Sequence, residues 1–329
     1  MSKRILVTGA TGAMGFLMCK TLVKNQHNVV GTTRSVSGKR EAIAKELQSN
    51  GVQLVEMDVT DDASVNQGVE AAIQSLDGID VVINNAGIGT IGIQEFYTIE
   101  DMHKVFDVNV YGVQRVMRAT LPHLRQQGQG TIVHISSGIG RLTFPFYGTY
   151  CASKYALEAI AEGYRAELAG FGIESCIVEP GAMPTEFLDA MLQLQPRDEA
   201  RSHAYGDLIH VPKASMEGLQ QALQATPAQH PQKVVDAIVD LLAMPFGQKP
   251  FRTVVDYTFL KEPVEAYNNL LHDITRQLYA ANGIAISPGY QRHRDRPVCH
   301  RVLEQRQLEY CAQTHCALQT DCSPSAHVH

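Results

Sequence analysis

Basic residues do not outnumber acidic ones in this chain, long apolar runs are missing, and so are closely paired cysteines. A membrane-spanning helix needs about 18 or more consecutive apolar residues. The first apolar run, Ile5 to Val7, is too short for a secretory leader. With 28 Lys and Arg against 34 Asp and Glu, the formal net charge is -6, which provides no basic stripe for a nucleic-acid backbone. We therefore expect a cytoplasmic protein that binds neither nucleic acid nor membranes.

Cysteine is sparse in the body of the chain and concentrated near its end. Cys19, Cys151 and Cys176 occur singly in apolar segments, as small reduced cysteines do. The remaining cysteines alternate with histidines and comprise Cys299, Cys311, Cys316, Cys322, His300, His315, His327 and His329. A zinc cluster and a poorly ordered tail are both compatible with this composition. Because no known zinc-ligand spacing occurs, we favour the tail, over residues 291–329, and predict no metal site.

Short β-branched runs alternate with amphipathic segments of helical length from the start of the chain. This alternation is typical of a parallel sheet with helices on both faces. Seven segments have the composition of strands, namely Arg4 to Thr8, Asn28 to Thr32, Gln53 to Met57, Val81 to Asn84, Gly130 to Ser136, Glu174 to Glu179 and Arg252 to Asp256. The sequence therefore predicts an α/β fold with a doubly wound, seven-stranded parallel sheet and right-handed crossovers.

The length of 329 residues suits one large α/β domain. No internal repeat is visible. After Pro184 the chain becomes rich in Leu and Met, and then in Gln and Ala up to Pro231, which we interpret as an insertion between the last two strands. We expect a single domain over residues 1–290, with the insertion at about 184–231.

A glycine-rich turn, Thr8 to Gly15, directly follows the first predicted strand and leads into the first predicted helix. Such a turn lets backbone N–H groups approach a pyrophosphate, and the helix N-terminus adds positive potential. Its position at the start of a βαβ unit favours a dinucleotide site over a plain tight turn.

The end of the second strand bears on the choice of dinucleotide. A carboxylate there would hydrogen-bond the 2′-hydroxyl of the adenosine ribose and favour NAD. This chain instead has Arg34, flanked by Thr33 and Ser35, and a guanidinium can pair with a 2′-phosphate. We predict NADP(H) as the preferred cofactor, with a solvated Arg34 and use of NAD(H) as the alternative.

Tyr150 and Lys154 are four residues apart in a segment of helical composition, so their side chains share one face. Hydride transfer to a carbonyl requires an acid/base that exchanges a proton with the oxygen. A tyrosine, with an ordinary pKa of about 10, can do this when a nearby cation favours its phenolate. The pair is therefore a candidate acid/base for a reaction between an alcohol and a carbonyl.

A second pair, Tyr257 and Lys261, has the same spacing, so spacing alone does not identify the site. The residue thirteen positions earlier distinguishes them, because it is Ser137 before Tyr150 and Met244 before Tyr257. A serine hydroxyl can hold the substrate oxygen beside the phenol, whereas a methionine cannot. We predict that Ser137 and Tyr150 act together and that the second pair is structural.

Taken in order along residues 4 to about 186, these features resemble the single-domain branch of the short-chain dehydrogenase/reductase family. The matching positions are Thr8 to Gly15, Asp58, Asn84-Asn85-Ala86-Gly87, Asn109, Ser137, Tyr150 to Lys154, Pro180-Gly181 and Thr185. Ala13 departs from the pattern, since the family more often has a glycine there. The resemblance implies a Rossmann fold and an NAD(P)-dependent oxidoreductase.

The resemblance also implies roles for single residues. Asn109 would hold a water that links Lys154 to solvent, and Ser137 would orient the substrate oxygen. Tyr150 would exchange the proton, while Lys154 would bind the nicotinamide ribose and lower the tyrosine pKa. The cofactor would contact Gly9, Thr11, Gly12, Met14, Arg34, Asp58, Val59, Asn85, Ala86, Gly87, Tyr150, Lys154, Pro180, Gly181 and Thr185. Of these, Pro180, Gly181 and Thr185 would flank the nicotinamide.

Several of these residues have structural alternatives. Asn84 and Asn85 are also compatible with a turn, Asn109 with a polar residue that bends a helix, and Thr185 with a helix N-cap. We interpret His103 and His134 as structural.

The insertion lies where the family places a lid over the substrate. Its apolar residues Phe187, Leu188, Met191 and Leu192, and those between Ser137 and Tyr150, namely Leu142, Phe144, Phe146 and Tyr147, suit an apolar alcohol or carbonyl substrate.

Two other classes share parts of the pattern. NADP-binding redox sensors share the glycine spacing, but the intact Ser137, Tyr150 and Lys154 argue for an enzyme. Epimerases that act on nucleotide sugars need a larger C-terminal domain than the residues after Gly181 supply. Family members commonly pair their long helices, so we expect a homodimer or homotetramer.

Overall fold

The computed structural model describes residues 2–196 and 198–283. Seven parallel strands form one sheet in the order β3-β2-β1-β4-β5-β6-β7. The strands are β1 (Arg4–Val7), β2 (Asn28–Thr33), β3 (Gln53–Glu56), β4 (Val81–Asn84), β5 (Gly130–Ile135), β6 (Ile173–Pro180) and β7 (Arg252–Val255). The α/β fold and all seven predicted strands are confirmed, and no strand end differs from its prediction by more than one residue.

Helices connect the strands and cover both faces of the sheet. They are α1 (Ala13–Lys24), α2 (Glu41–Ser49), α3 (Asp62–Leu76), α4 (Ile99–Phe106), α5 (Gly112–Gln127), α6 (Gly148–Leu168), α7 (Glu186–Gln193), α8 (Glu199–Ser202), α9 (Val211–Gln224), α10 (Pro231–Ala243) and α11 (Lys261–Ala281). A π-helical segment, Asp107–Tyr111, joins α4 to α5. The chain moves outward from β1 in both directions, so the carboxyl ends of β1 and β4 border the crevice where sheets of this kind bind ligands.

The central strands are apolar and buried on both faces, which explains why their sequences do not alternate with polar residues. In β1, Ile5 and Val7 pack in one core cluster and Leu6 packs in another. The first cluster includes side chains of α1 and α10, and the second includes side chains of α3 and α5. The sheet is therefore held between two layers of helices.

Among the described residues, the segment between β6 and β7 contains four α-helices. Of these, α7, α8 and α9 fall inside the predicted insertion, whereas α10 begins at its last predicted residue and packs on α1 as part of the helical layer. Leu188, Met191 and Met216 of α7 and α9 form a third apolar cluster with Tyr150 and Cys151 of α6. The insertion thus packs directly on the first turn of the helix that carries the candidate acid/base.

The predictions for the Cys- and His-rich tail lie outside the described residues. Within residues 2–196 and 198–283, no helix is long and apolar enough to cross a membrane. The same residues contain no group of three or more His, Cys, Asp or Glu that could hold a metal ion. The three described cysteines, Cys19, Cys151 and Cys176, are free and buried, and burial raises the pKa of Cys19 to about 12.

Candidate active site

The loop after β1 turns sharply into α1. Gly9 has a φ of 71°, a conformation that glycine adopts without strain. A Cβ on Gly15 would overlap the carbonyl oxygen of Gly9, so the close approach of loop and helix requires glycine there as well. At Gly12 a Cβ would meet only that same oxygen, at an ordinary 3.4 Å. Packing therefore requires the first and third glycines of the motif, but not the second.

The N-terminus of α1 faces this loop. Gly12 is the N-cap residue of α1. As a glycine it provides no side-chain hydrogen bond to the first N–H groups of the helix. The N–H groups of a first helical turn have no partner within the helix, and they form the positive end of its dipole. Ala13 is the first helical residue, where alanine is favourable. The departure from the family's glycine therefore fits the local structure.

The remaining residues of the turn also take part in structural contacts. The Thr11 Oγ1 hydrogen-bonds with the Thr33 Oγ1 at 2.9 Å, which joins the turn to the end of β2. Met14 is half-buried and packs on the core cluster that contains α1 and α10.

Arg34 follows the last residue of β2 and is exposed. A hydrogen bond of 3.1 Å from the Thr33 Oγ1 to the Ser35 carbonyl oxygen shapes the backbone around it. Its charge contributes to a lowered pKa of Asp58, where burial acts to raise the pKa but is outweighed by hydrogen bonds from Thr60 and by nearby arginines. Arg34 is thus an exposed cation at the position where the sequence predicts the 2′-phosphate.

Asp58 and Val59 follow β3. The Asp58 Oδ1 accepts hydrogen bonds from the Thr60 N at 2.9 Å and the Thr60 Oγ1 at 2.7 Å, which order the loop. Val59 is buried, and its carbonyl oxygen accepts a bond from Arg115.

The loop after β4 is tied to the end of β1. The N–H groups of Asn85 and Ala86 donate to the Thr8 Oγ1 at 3.0 and 2.9 Å, and the Asn85 Nδ2 donates to the Thr8 carbonyl oxygen at 2.8 Å. Asn85 thus joins the loop after β4 to the end of β1, and it is not part of a turn. Asn84 ends β4 and is buried, with its Nδ2 3.4 Å from the His134 Nδ1.

Asn109 lies in the π-helical segment and joins two parts of the site. Its Oδ1 accepts from the Ile88 N at 2.9 Å, and its Nδ2 donates to the Ile88 carbonyl oxygen at 2.8 Å and to the Ser153 Oγ at 3.0 Å. π-helical turns often occur at functional sites. A Cβ on Gly87 would lie 3.3 Å from the Asn109 Oδ1 and 3.7 Å from the Lys154 Nζ, so this loop borders α6 near Lys154.

Tyr150 and Lys154 are buried on α6, each with 6% of its surface exposed. The Lys154 Nζ donates to the Ile135 carbonyl oxygen at 2.9 Å and lies 5.8 Å from the centroid of the Tyr150 ring. Because Ile135 ends β5, this hydrogen bond sets the position of α6 relative to the strand that leads to Ser137. The two residues of the motif therefore share a helical face, as their spacing predicts.

Ser137 is half-buried and lies beyond the end of β5. Its Oγ donates to the Pro180 carbonyl oxygen and accepts from the Ile139 N, both at 3.4 Å. It also interacts with the Tyr150 phenol, and this interaction acts to lower the tyrosine pKa. The neighbouring Ser136 is buried, with no hydrogen-bond partner for its Oγ among the described residues. The structure thus brings Ser137 next to Tyr150, as the thirteen-residue spacing predicts.

Burial dominates the electrostatics of the pair. It raises the pKa of Tyr150, against the effect of Ser137. It lowers the pKa of Lys154 to about 8, against the attraction of Glu158 one helical turn further on. The phenol is therefore neutral at physiological pH in the protein alone, while the ammonium can lose its proton in mild alkali. A lowering of the tyrosine pKa by Lys154 stays a prediction for the complex with cofactor.

A buried cluster of charged side chains contacts α6 at Glu158. The Arg252 Nε lies 2.9 Å from the Glu158 Oε2, and the Arg141 Nη1 lies 3.7 Å from it. Burial and the neighbouring Glu158 raise the pKa of Glu179 to about 8. Because Glu158 is on α6, Glu179 on β6 and Arg252 on β7, the cluster joins this helix to the last two strands of the sheet.

The residues after β6 also lie at this edge of the sheet. The Gly181 N donates to the Val255 carbonyl oxygen at 3.0 Å, which extends the pairing with β7. Thr185 is the N-cap residue of α7 by position, with φ of -141°, but within the described residues its side chain forms no capping hydrogen bond. Thr185 therefore occupies the N-cap position of α7 without forming the side-chain hydrogen bond of an N-cap.

Tyr257 differs from Tyr150 in its surroundings. It is 49% exposed and lies in the loop before α11, which begins at Lys261. The two residues of this second pair are therefore not on one helical face, in agreement with a structural interpretation. His103 on α4 is exposed and His134 is buried within β5, so neither is part of the Ser137 and Tyr150 cluster.

Aromatic side chains surround the phenol. The ring centroid of Phe187 on α7 lies 6.0 Å from that of Tyr150, and Phe144 lies 6.1 Å from Phe259 by the same measure. Phe144 and Phe146, from the loop after Ser137, pack on the third apolar cluster. The aromatic residues near Tyr150 thus include Phe144, Phe146 and Phe187, which the sequence predicts. Phe259 also belongs to this group and is not predicted from the sequence.

Two further features escape the sequence patterns. The Arg40 Nη1 lies 3.3 Å from the Thr11 carbonyl oxygen and 3.1 Å from a Glu186 carboxylate oxygen, so it bridges the glycine turn and the first residue of α7. Gln229 and Asp256 form a buried hydrogen-bonded pair beside Gly181. Neither feature belongs to a spaced motif, since each depends on segments that meet only in the folded chain.

Comparisons with known proteins place the chain in a family. The sequence model of the short chain dehydrogenases matches residues 3–195. The chain is 34% identical over 284 residues to a 3-ketodihydrosphingosine reductase of Bacteroides thetaiotaomicron, a match that covers 84% of this chain and 97% of the relative. It is 32% identical over 253 residues to human retinol dehydrogenase 8, covering 73% of this chain and 78% of the relative.

A solved structure agrees with these relationships. A short-chain dehydrogenase from Streptomyces avermitilis superimposes with a TM-score of 0.67 at 26% identity, covering 87% of this chain and 99% of that one. The sheet order, the glycine turn and the helix with Tyr150 and Lys154 are thus accompanied by similarity over most of the described residues. The chain belongs to the short-chain dehydrogenase family of oxidoreductases.

Proposed function

We propose that this protein is an NADP(H)-dependent oxidoreductase that interconverts an apolar secondary alcohol and a ketone, or an alcohol and an aldehyde. The observation that carries the proposal is the buried phenol of Tyr150, which interacts with Ser137 and lies one helical turn from Lys154. In the proposal these three residues and Asn109 are the catalytic set.

The cofactor site lies at the carboxyl ends of β1 and β4. The N-terminus of α1 offers N–H groups that no described side chain caps, and an anion is favoured at such a position. Packing within the protein does not require a glycine at position 12. In the proposal the absence of a side chain there leaves room for the pyrophosphate to approach the backbone. In the proposal the cofactor contacts the residues that the resemblance implies, from Gly9 to Thr185. When bound there, NADP(H) supplies or accepts the hydride.

The preference for NADP(H) rests on the charges at the end of β2. Arg34 is exposed and follows Thr33 where NAD-selective sites have a carboxylate. Arg40 adds a second guanidinium that already contacts the turn at Thr11. Arginine binds phosphate with paired hydrogen bonds, so Arg34 favours a 2′-phosphate. Arg40 would contribute by exchanging its ion pair with Glu186 for the phosphate.

The proton is exchanged by Tyr150. Because burial keeps the phenol protonated, it is ready to donate a proton to the oxygen of a carbonyl as the hydride arrives. In the proposal the Ser137 hydroxyl turns from the Pro180 carbonyl oxygen, donates its hydrogen bond to the same substrate oxygen and holds it near the phenol. In the oxidative direction the phenolate form of Tyr150, stabilised by the nearby Lys154 ammonium, accepts the alcohol proton and becomes the neutral phenol.

An apolar substrate is supported by the walls of the site. Phe187 packs near the phenol, and Phe144, which packs on the same apolar cluster as Tyr150, also contacts Phe259. We propose that α7 to α9 form the lid over this site. Two relatives are named for 3-ketodihydrosphingosine and for retinol, which are a ketone and an alcohol.

A turnover screen tests the proposal. The purified full chain is mixed with NADPH or NADH and a panel of apolar and polar ketones and aldehydes, and loss of the reduced nicotinamide is followed. We expect turnover of apolar carbonyl compounds with a higher kcat/KM for NADPH than for NADH. If NADPH binds but no member of the panel is turned over, the protein is a non-catalytic NADP-binding sensor instead. A higher kcat/KM for NADH would refute the role given to Arg34.

A further inference from the structure

A buried carboxylate lies behind Ser137, outside the catalytic set. Asp256 directly follows β7 and is 2% exposed. Its Oδ2 accepts from the Thr258 N and the Leu260 N, both at 3.0 Å, and its Oδ1 accepts from the Gln229 Nε2 at 2.9 Å. The Thr258 hydroxyl also donates to it, at 2.8 and 2.9 Å. A carboxylate so far from water is stable only when such donors satisfy it.

Gln229 connects this carboxylate to both neighbouring strands. Its side chain is 1% exposed. The Nε2 that donates to Asp256 also donates to the Ala182 carbonyl oxygen at 2.7 Å, and the Oε1 accepts from the Tyr257 N at 2.6 Å. One amide thus holds the backbone after β6 and the backbone after β7 at the same time.

Gly181 is in direct contact with the carboxylate. A Cβ on Gly181 would overlap the Asp256 Oδ1, so only glycine allows this approach. Together with the bond from the Gly181 N to the Val255 carbonyl oxygen, these contacts fix the path of the backbone at residues 180–182. This is the stretch that the proposed function places beside the nicotinamide.

The same group of contacts reaches Ser137 from two sides. The Pro180 carbonyl oxygen accepts the hydrogen bond from the Ser137 Oγ, at 3.4 Å. Leu260, whose N–H is bound by Asp256, places its side chain 3.5 Å from where a Cβ on Gly138 would lie. Phe259, adjacent to Leu260, packs against Phe144 in the proposed substrate wall.

We infer that Gln229 and Asp256 are positioning residues for the reaction. They hold the backbone of residues 180–182 and the loop of residues 256–260 in the arrangement that places Ser137 and the nicotinamide end of the cofactor correctly. The inference rests on the proposed function, since it concerns the geometry of that same site. It assigns to this pair no contact with the reacting atoms.

The test exchanges donors and acceptors within the pair. In Asp256→Asn the new amide N–H faces either the Gln229 Nε2 or the loop N–H groups, so one donor loses its acceptor. In Gln229→Glu two carboxylates face each other. In the double variant the new amide at position 256 can donate to the new carboxylate at position 229, which restores the bond between the two side chains. Asp240→Asn, an exposed position on α10, is the control.

The expected result is a selective loss. We expect kcat to fall about tenfold or more in each single variant, because small displacements of reacting groups are costly. The ratio of kcat/KM for NADPH to that for NADH should not change, since Arg34 lies at the other end of the cofactor. The double variant should be more active than Gln229→Glu, because the new amide at position 256 relieves the repulsion between the two carboxylates, and Asp240→Asn should match the wild type. The melting temperature is measured for all variants.

The inference is overturned if Asp256→Asn retains wild-type kcat and KM. It is also overturned if the double variant is no more active than Gln229→Glu, or if the loss in activity matches a loss of folded protein. Fluorescence of bound NADPH adds a readout at the nicotinamide that does not need turnover, and we expect it to change in both single variants. A wild type that binds NADPH without turnover would refute the proposed function alone. Unchanged fluorescence in the variants would refute the inference alone.

Discussion

The Lys154 ammonium is hydrogen-bonded to the carbonyl oxygen of Ile135, 2.9 Å away, at the end of the strand that leads to Ser137. This bond joins α6 to the end of β5, the strand that leads to Ser137. Burial lowers the pKa of Lys154 to about 8, against the attraction of Glu158. The titration of this group therefore falls in a range where binding can be measured.

The affinity for NADPH should depend on pH through Lys154. The ammonium is charged below its pKa of about 8 and loses its proton as the pH rises through that value. Because the charged form favours the anionic cofactor and its ribose, we expect the Kd to rise between about pH 7 and pH 9. Lys154→Met should bind more weakly at every pH and should lack this step. Parallel Kd curves for the two proteins would refute the assignment.

Arg34 should determine the choice between the two cofactors. Removal of a charged hydrogen-bonding partner from a phosphate costs about 1.5 to 3 kcal/mol. Arg34→Ala should therefore lower kcat/KM for NADPH about tenfold or more, with little change for NADH. Arg118→Ala removes an exposed arginine of α5 and serves as the control. An equal decrease in kcat/KM with NADPH and with NADH would show that Arg34 does not bind the 2′-phosphate.

The glycines of the turn should separate stability from binding. A Cβ on Gly15 overlaps the Gly9 carbonyl oxygen, whereas one on Gly12 makes only an ordinary contact. Gly15→Ala should therefore lower the melting temperature by several degrees. Gly12→Ala should leave it nearly unchanged but raise the Kd for NADPH about tenfold, because its methyl group occupies the approach of the pyrophosphate. If Gly12→Ala binds NADPH as the wild type does, the cradle lies elsewhere.

His134 should make the fold sensitive to mild acid. Burial lowers the pKa of its imidazole from 6.5 to about 3. Between these two pH values the unfolded chain binds a proton at His134 and the folded chain does not. The free energy of unfolding is therefore unaffected by this group above pH 6.5 and decreases as the pH drops toward 3. One such proton contributes a slope of about 1.4 kcal/mol per pH unit. Unfolding in urea between about pH 6.5 and pH 5 should be less pH-dependent in His134→Gln than in the wild type, whereas the exposed His103→Gln should match the wild type. Equal slopes in all three proteins would contradict this account.

Much of the fold follows from local sequence. Each strand is a short β-branched run between turn residues, and the buried central strands need no long-range information to be recognised. The candidate site residues are also predictable as a group, because the glycine turn, the loop after β4, Ser137 and Gly181 all follow strands. In a parallel sheet the carboxyl ends of the strands meet at one edge.

The remaining features depend on contacts between distant segments. The bond from Lys154 to Ile135, the bridge from Arg40 to Glu186 and the pair of Gln229 with Asp256 join residues that no motif relates. The raised pKa of Tyr150 likewise depends on burial by the tertiary structure, whereas the sequence suggests only the effect of its lysine neighbour. Similarly, α10 packs on α1 as part of the core, which composition alone does not show.

The central claim is that Tyr150 is the acid/base, and its most direct test is the rate of NADPH oxidation by Tyr150→Phe with a ketone that the wild type accepts. We expect kcat to fall at least about a hundredfold while the Kd for NADPH stays within about twofold. Tyr257→Phe, which alters the other tyrosine of the same spacing, should retain the wild-type rate. A Tyr150→Phe variant that keeps most of the wild-type kcat would contradict the account.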